Sequence, residues 1–93
     1  MIRSFADKET ERIYNQQISK KLPFGIQKIA LRKLIMIDKA DSVVDLMMPP
    51  GNRLERLEGD RKGQYSIRIN DRYRICFRIQ NDGCHDVEIV DYH

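Results

Sequence analysis

Between Phe24 and Lys39 the apolar residues Ile26, Ile29, Ala30, Leu34 and Ile37 recur every three or four positions. That spacing lines one face of an α-helix and predicts a helix over 24–39. A shorter helix is expected over Lys8–Ser19, where Ile13, Tyr14 and Ile18 fall near one face and Asp7 can cap the first turn. Lys20–Pro23 breaks that run, and Ile2–Phe5 ahead of it suits a short strand. Asp41–Met47 can add a helical turn before Pro49-Pro50-Gly51 stops it.

After Gly51 the period shortens to two. Leu54 and Leu57 mark a short extended segment, and Gly59–Gly63 is a charged turn. Tyr65, Ile67 and Ile69 alternate with Ser66, Arg68 and Asn70. Tyr73, Ile75, Phe77 and Ile79 alternate with Arg72, Arg74, Cys76 and Arg78. Asn70-Asp71 and Asn81-Asp82-Gly83 supply turns, and Val87–Val90 a last strand. Two N-terminal helices followed by a meander predict an α+β domain over 1–93, with the helices on one face of an antiparallel sheet.

Alternation then sends the two faces of the sheet to different environments. With Tyr65, Ile67, Tyr73, Ile75 and Phe77 inward, Arg68, Arg72, Arg74 and Arg78 share the outer face. The guanidinium fork matches phosphate, so such a face can cradle RNA. The same arginines can instead protect a sheet edge or pair with nearby carboxylates such as Glu55, Glu58, Asp60, Asp71 and Glu88. The net charge of +3 permits a nucleic-acid partner without requiring one. Cys76 and Cys84 form no CxxC pair, and with His85 and His93 they have no familiar metal-ligand spacing; a reduced cytoplasmic setting and no metal are expected. Neither a secretory leader nor an apolar run of membrane length is expected.

The run ends on Asp91, Tyr92 and His93, directly after the last strand. RNA cleavage by its own 2′-hydroxyl needs a base, a cation for the phosphorane-like transition state and an acid for the leaving 5′-oxygen. Histidine suits proton transfer near neutral pH, and arginine suits the charge. Tyrosine can stack a base or donate a proton, and aspartate can orient an imidazole. Asp91, Tyr92, His93 and Arg74 could therefore complete a site without metal or other cofactor. Equally, Tyr92 could cap the core, Asp91 end a strand and His93 fray. His85 is expected in a solvated turn.

The segments Gly51–Glu55, Leu57–Arg61, Tyr65–Asn70, Tyr73–Phe77 and Val87–His93 resemble, in order, those of HigB-type toxins, a branch of the RelE/ParE superfamily. The resemblance implies a microbial-RNase-like α+β fold and a bacterial toxin of a type II toxin–antitoxin pair. It implies cleavage of translated mRNA in the A site of the 70S ribosome, and neutralisation by a helix-turn-helix antitoxin of HigA type. By position, Arg74 would stabilise the scissile phosphate, and Asp91, Tyr92 and His93 would form the acid-base and stacking end. Some relatives carry a His and a Lys where Glu55 and Glu58 stand, so Glu55 becomes a candidate base. Arg56, Arg68, Arg72 and Arg78 are candidate RNA contacts. Two other functions remain open: a ParE-like toxin acting on DNA gyrase, and a non-catalytic binding module.

Overall fold

The longer helix forms over Phe24–Lys39, the stretch its apolar spacing predicts; it is α2 here, and it buries Ile26, Ala30, Leu34 and Ile37. The computed structural model describes residues 1–92; His93 lies outside the described residues. Ahead of α2 stands α1 (Lys8–Tyr14), and after it come β1 (Glu55–Arg56), β2 (Tyr65–Arg68), β3 (Tyr73–Gln80) and β4 (Gly83–Asp91). Short 3-10 turns occupy Val43–Met47, Pro50–Asn52 and Gly59–Arg61. The strands form one antiparallel sheet in chain order. The α+β architecture is the expected one.

Asp7 caps α1 by accepting a hydrogen bond from the Thr10 amide at 2.7 Å. The helix ends earlier than the expected Ser19, because Gln16 takes a left-handed φ of 63°. The chain that follows is held by side chains instead. Gln27, buried on α2, accepts from the Ser19 amide and donates to the carbonyls of Ser19 and Leu22. That satisfies backbone groups a continued helix would have paired internally. Ile18 therefore leaves the core and is exposed.

The strand expected at Ile2–Phe5 appears as two parallel bridges to the outer edge of β4, Ile2 to Cys84 and Phe5 to Val87. Gly83 makes the first possible: a Cβ there would lie 2.3 Å from the Met1 carbonyl oxygen. α1 is stitched to the same strand, the Ile89 amide donating to Thr10 Oγ1 at 2.9 Å. Between helices and sheet lie Ile67, Tyr73, Ile75, Phe77, Val87 and Ile89, all buried.

β4 is longer than the expected Val87–Val90 and includes His85, placed in a turn by the sequence reading. The reason is an irregularity between Cys76 and Arg78, where the β3–β4 register shifts. Opposite it Asp86 adopts a left-handed φ of 54°. An inserted residue resets the alternation. Cys84 and Val87, three apart, are consequently both buried, a spacing that conceals the strand's first half.

Both cysteines are buried and free. Burial raises the thiol pKa of Cys76, against the lowering effect of the Tyr92 hydroxyl, and it raises that of Cys84. Burial also raises Tyr14 and Tyr92. A pKa raised by folding means the fold prefers the neutral group. Its contribution is whole below the unfolded thiol pKa, about 8.5, and is lost as pH climbs through the folded values. Lys33, lowered chiefly by burial, works in the opposite sense. The two thiols titrate first, so the urea midpoint should fall between about pH 7.5 and 9.5, and should fall less in Cys76→Ser; the tyrosines add to the loss only above about pH 10. A midpoint that rises over this interval contradicts the assignment.

Candidate active site on the open sheet face

The side of the sheet away from the helices carries one residue from each strand in a row. Glu55 on β1 faces Ser66 on β2, Ser66 faces Cys76 on β3, and Cys76 faces Glu88 on β4. Arg68, Arg74 and Val90 form the next row. Ser66 and Cys76 have no accessible surface although no helix covers this side. Arg74 and Tyr92 reach over them.

Arg74 sits at the centre. Its Nε donates to Ser66 Oγ at 2.8 Å, and its Nη2 to the carbonyls of Arg53 and Ser66. Its Nη1 lies 3.8 Å from Glu55 Oε1. Arg53 is itself in the left-handed region, at φ 45°. The segment before it is moored to α2, where buried Lys33 donates to Asn52 Oδ1 and Asn52 Nδ2 donates to the Leu46 and Met48 carbonyls. Arg74 was expected to stand open beside the other arginines. Instead it is 8% exposed, with its guanidinium held by three protein oxygens and one edge turned toward Glu55. A group fixed this way loses little freedom when it meets an anion, which suits charge stabilisation better than a mobile surface arginine does.

The remaining expected cations are separately engaged. Arg68 bonds Asp71, Arg72 makes a bidentate pair with Asp91 at 2.9–3.1 Å, and Arg78 lies 3.5 Å from Asp86. Arg56 lies over the Tyr65 ring at 5.9 Å. The carboxylate-pairing alternative thus describes Arg68, Arg72 and Arg78 in the free protein. Pairs this exposed are screened by water and contribute little, so a phosphate could replace the carboxylate at small cost.

Asp91 and Tyr92 leave the last strand toward different neighbours among the described residues. Asp91 pairs in register with buried Tyr73 and engages Arg72 at the end of the sheet. Tyr92, tied by its amide to the Arg72 carbonyl at 2.6 Å, brings its hydroxyl to 3.8 Å from Cys76 Sγ. Burial, then the Cys76 contact, raises the Tyr92 pKa, while the Arg61 and Arg74 charges partly oppose this. The phenol is therefore protonated at neutral pH and can donate or stack but not act as a phenolate base. His93 lies outside the described residues. His85 sits at the far end of β4 with Asp82 at 2.7 Å.

Ser66, Cys76, Arg61 and Glu88 also stand on this face, although the sequence does not single them out as candidates. Arg61 reaches Glu88 at 3.2 Å from the turn between β1 and β2. All four lie in the segments that carry the family resemblance, yet only the strand register shows that they meet. Among the described residues no group of three or more His, Cys, Asp or Glu is placed to hold a metal ion, and no helix is long and apolar enough to cross a membrane.

Two helices on one side of a four-stranded antiparallel meander, with a clamped arginine on the other side, define a RelE-like α+β toxin fold. Residues 3–93 match the family described as the RelE-like toxin of the type II toxin–antitoxin system HigB, and the chain belongs to that family. Toxin HigB-1 of Vibrio cholerae is 43% identical over 79 residues, 84% of this chain and 83% of that protein. An uncharacterized Haemophilus influenzae protein is 40% identical over 62 residues, 67% of this chain and 61% of its own length. Endoribonuclease HigB of Proteus vulgaris is 28% identical over 93 residues, the full length of both. Membership of a toxin–antitoxin family implies an antitoxin as partner.

Proposed function

We propose that this toxin is an endoribonuclease that cuts translated mRNA in the A site of the bacterial 70S ribosome, in the cytoplasm. A HigA-type helix-turn-helix antitoxin holds it inactive. The reading rests on the clamped Arg74, with one guanidinium edge beside Glu55 and its charge acting on the Tyr92 phenol. In the reaction a base removes the 2′-hydroxyl proton and the 2′-oxygen attacks phosphorus. The bond to the 5′-oxygen breaks, leaving a cyclic phosphate and a 5′-hydroxyl. Arg74 stabilises the charge on phosphorus, Glu55 is the candidate base, and Tyr92 stacks a base. His93 exchanges a proton with the reacting oxygens and Asp91 orients this end of the chain. Arg56, Arg68, Arg72 and Arg78 meet flanking phosphates. No cofactor is required by these roles.

Glu55 is exposed, and its described contact is with Arg74 whereas that of the Tyr92 hydroxyl is with Cys76. A set so loosely assembled depends on a substrate already held in a reactive shape, and positioning alone can supply a large part of the rate. This is the argument for the ribosome as the obligatory context. The test is to induce the toxin in cells and map new mRNA 5′ ends, with His93→Gln as comparison. Cuts that keep step with reading frames and disappear in the variant are expected. Intact mRNA together with inhibited gyrase supercoiling would favour the ParE-like reading, and growth arrest that survives His93→Gln a binding module.

A further inference from the structure

The centre of the open face has a second cation that the roles above do not use. On one side of Cys76 stands Ser66, which carries Arg74; on the other stands Glu88, which carries Arg61. Tyr92 lies over the middle, its hydroxyl at 3.8 Å from Cys76 Sγ. Neighbouring strands are about 4.8 Å apart, so Ser66 and Glu88 are separated by roughly 10 Å of sheet. Arg74 at Ser66 and Arg61 at Glu88 flank that floor, and the charges of both act on Cys76 and Tyr92 between them; a phosphate seated beside Tyr92 would lie between the two guanidinium groups.

Arg61 is presented by a closed turn. Its carbonyl accepts from the Gln64 amide at 3.0 Å, and the Leu57 amide donates to the Gln64 carbonyl at 2.9 Å. Its Nη1 donates to Gln64 Oε1 at 3.1 Å and Glu88 Oε1 at 3.2 Å. Burial lowers the Arg61 pKa, but the Glu88 hydrogen bond and the nearby Cys76, Glu88 and Tyr92 outweigh it, and the net direction is up. Both members of the Arg61–Glu88 pair are about one third exposed, so incoming phosphate has access to the guanidinium.

We propose that Arg61 and Arg74 are the two arms of a clamp for a single RNA phosphodiester beside Tyr92, and that Glu88 is the counter-ion which occupies Arg61 until phosphate displaces it. The proposal rests on the endoribonuclease reading for the identity of the ligand, and it adds a specificity device to it. While Glu88 holds Arg61, a phosphate must compete for that arm, which disfavours loosely presented RNA relative to RNA fixed in position.

Binding of a 2′-O-methylated RNA oligonucleotide, which cannot be cut, tests this apart from catalysis. Affinity would be measured across a salt series for wild type, Arg61→Gln, Arg61→Lys, Glu88→Gln, Glu58→Gln and the Arg61→Gln/Glu88→Gln double variant. Thermal melting would confirm that each is folded. Arg61→Gln should weaken binding about fivefold and reduce the salt slope by about one, with Arg61→Lys keeping the slope. Glu88→Gln should tighten binding about fivefold, the equivalent of one exposed ion pair. That gain should vanish when Arg61 is Gln, since the two act as a coupled pair. Glu58→Gln, which removes an exposed charge from the same region, sets the baseline for a general charge effect.

A Glu88→Gln gain no larger than that of Glu58→Gln overturns the clamp. So does a gain that survives without Arg61, an unchanged salt slope in Arg61→Gln, or no measurable binding by wild type and Glu88→Gln alike. If Arg61→Gln does not fold, Arg61→Lys and Glu88→Gln still decide the matter. The predicted binding pattern with no ribosomal cleavage would sink the endoribonuclease reading and leave the phosphate clamp standing. Cleavage without that pattern would do the reverse.

Discussion

Arg74→Lys should slow cleavage of ribosome-bound mRNA by about 10²–10³-fold, the usual consequence of removing one positioned donor from a charge-developing oxygen. The loss does not come from charge, which lysine keeps. It comes from geometry. One ammonium group cannot meet Ser66 Oγ, the Ser66 carbonyl and the Arg53 carbonyl and still present an edge beside Glu55. Arg74→Ala should be as inactive, and it should also lose stability. The Ser66 acceptors it leaves behind are buried, and each unpaired buried group costs about 1–3 kcal/mol. Single-turnover rates alongside urea unfolding separate the two effects. Arg74→Lys cutting at the wild-type rate would remove Arg74 from the chemistry.

Tyr92→Ala is expected to reduce cleavage about 100-fold or more. Base–aromatic stacking contributes about 1–3 kcal/mol per base, and a misplaced base also misplaces its phosphate. Tyr92→Phe should stay within about tenfold of wild type, since it keeps the ring. Its fold should be untouched, because the described hydroxyl contact is the long one to Cys76 Sγ. A Phe variant as slow as the Ala variant would instead make the phenol a proton donor, a role worth about 10²–10⁴. The raised pKa is compatible with donation but not with a phenolate base. Removing residues 92 and 93 together should abolish activity and leave the circular dichroism spectrum unchanged, for β4 already ends at Asp91.

The fold was largely legible because its two periodicities are clean. Ile26, Ala30, Leu34 and Ile37 mark α2, and the alternation from Tyr65 through Phe77 marks β2 and β3. Legibility failed where a single residue breaks the period. Gln16 at positive φ shortened α1, and Asp86 at positive φ hid the first half of β4. Neither residue announces a left-handed backbone as a glycine would.

The site was legible in composition but not in arrangement. Alternation put Arg68, Arg72, Arg74 and Arg78 on one side of the chain, yet only Arg74 has small neighbours in Ser66 and Cys76 to lie across. Its burial depends on cross-strand register and on a carbonyl delivered by Arg53 from a distant loop. Contiguity of Asp91 and Tyr92 in sequence suggested a shared site. In the structure Asp91 meets Arg72 and Tyr92 meets Cys76, neighbours that contiguity alone does not reveal. Arg61 and Glu88 come from segments 27 residues apart, and nothing local in either predicts their meeting.

Ribosome-dependent cleavage is tested most directly in a purified bacterial translation system, with and without ribosomes, comparing wild type with His93→Gln and Arg74→Lys. Cuts within codons that require ribosomes and fade in both variants are expected. Efficient cutting of naked RNA by the pure protein, or translation blocked with mRNA left whole, would contradict ribosome-dependent cleavage.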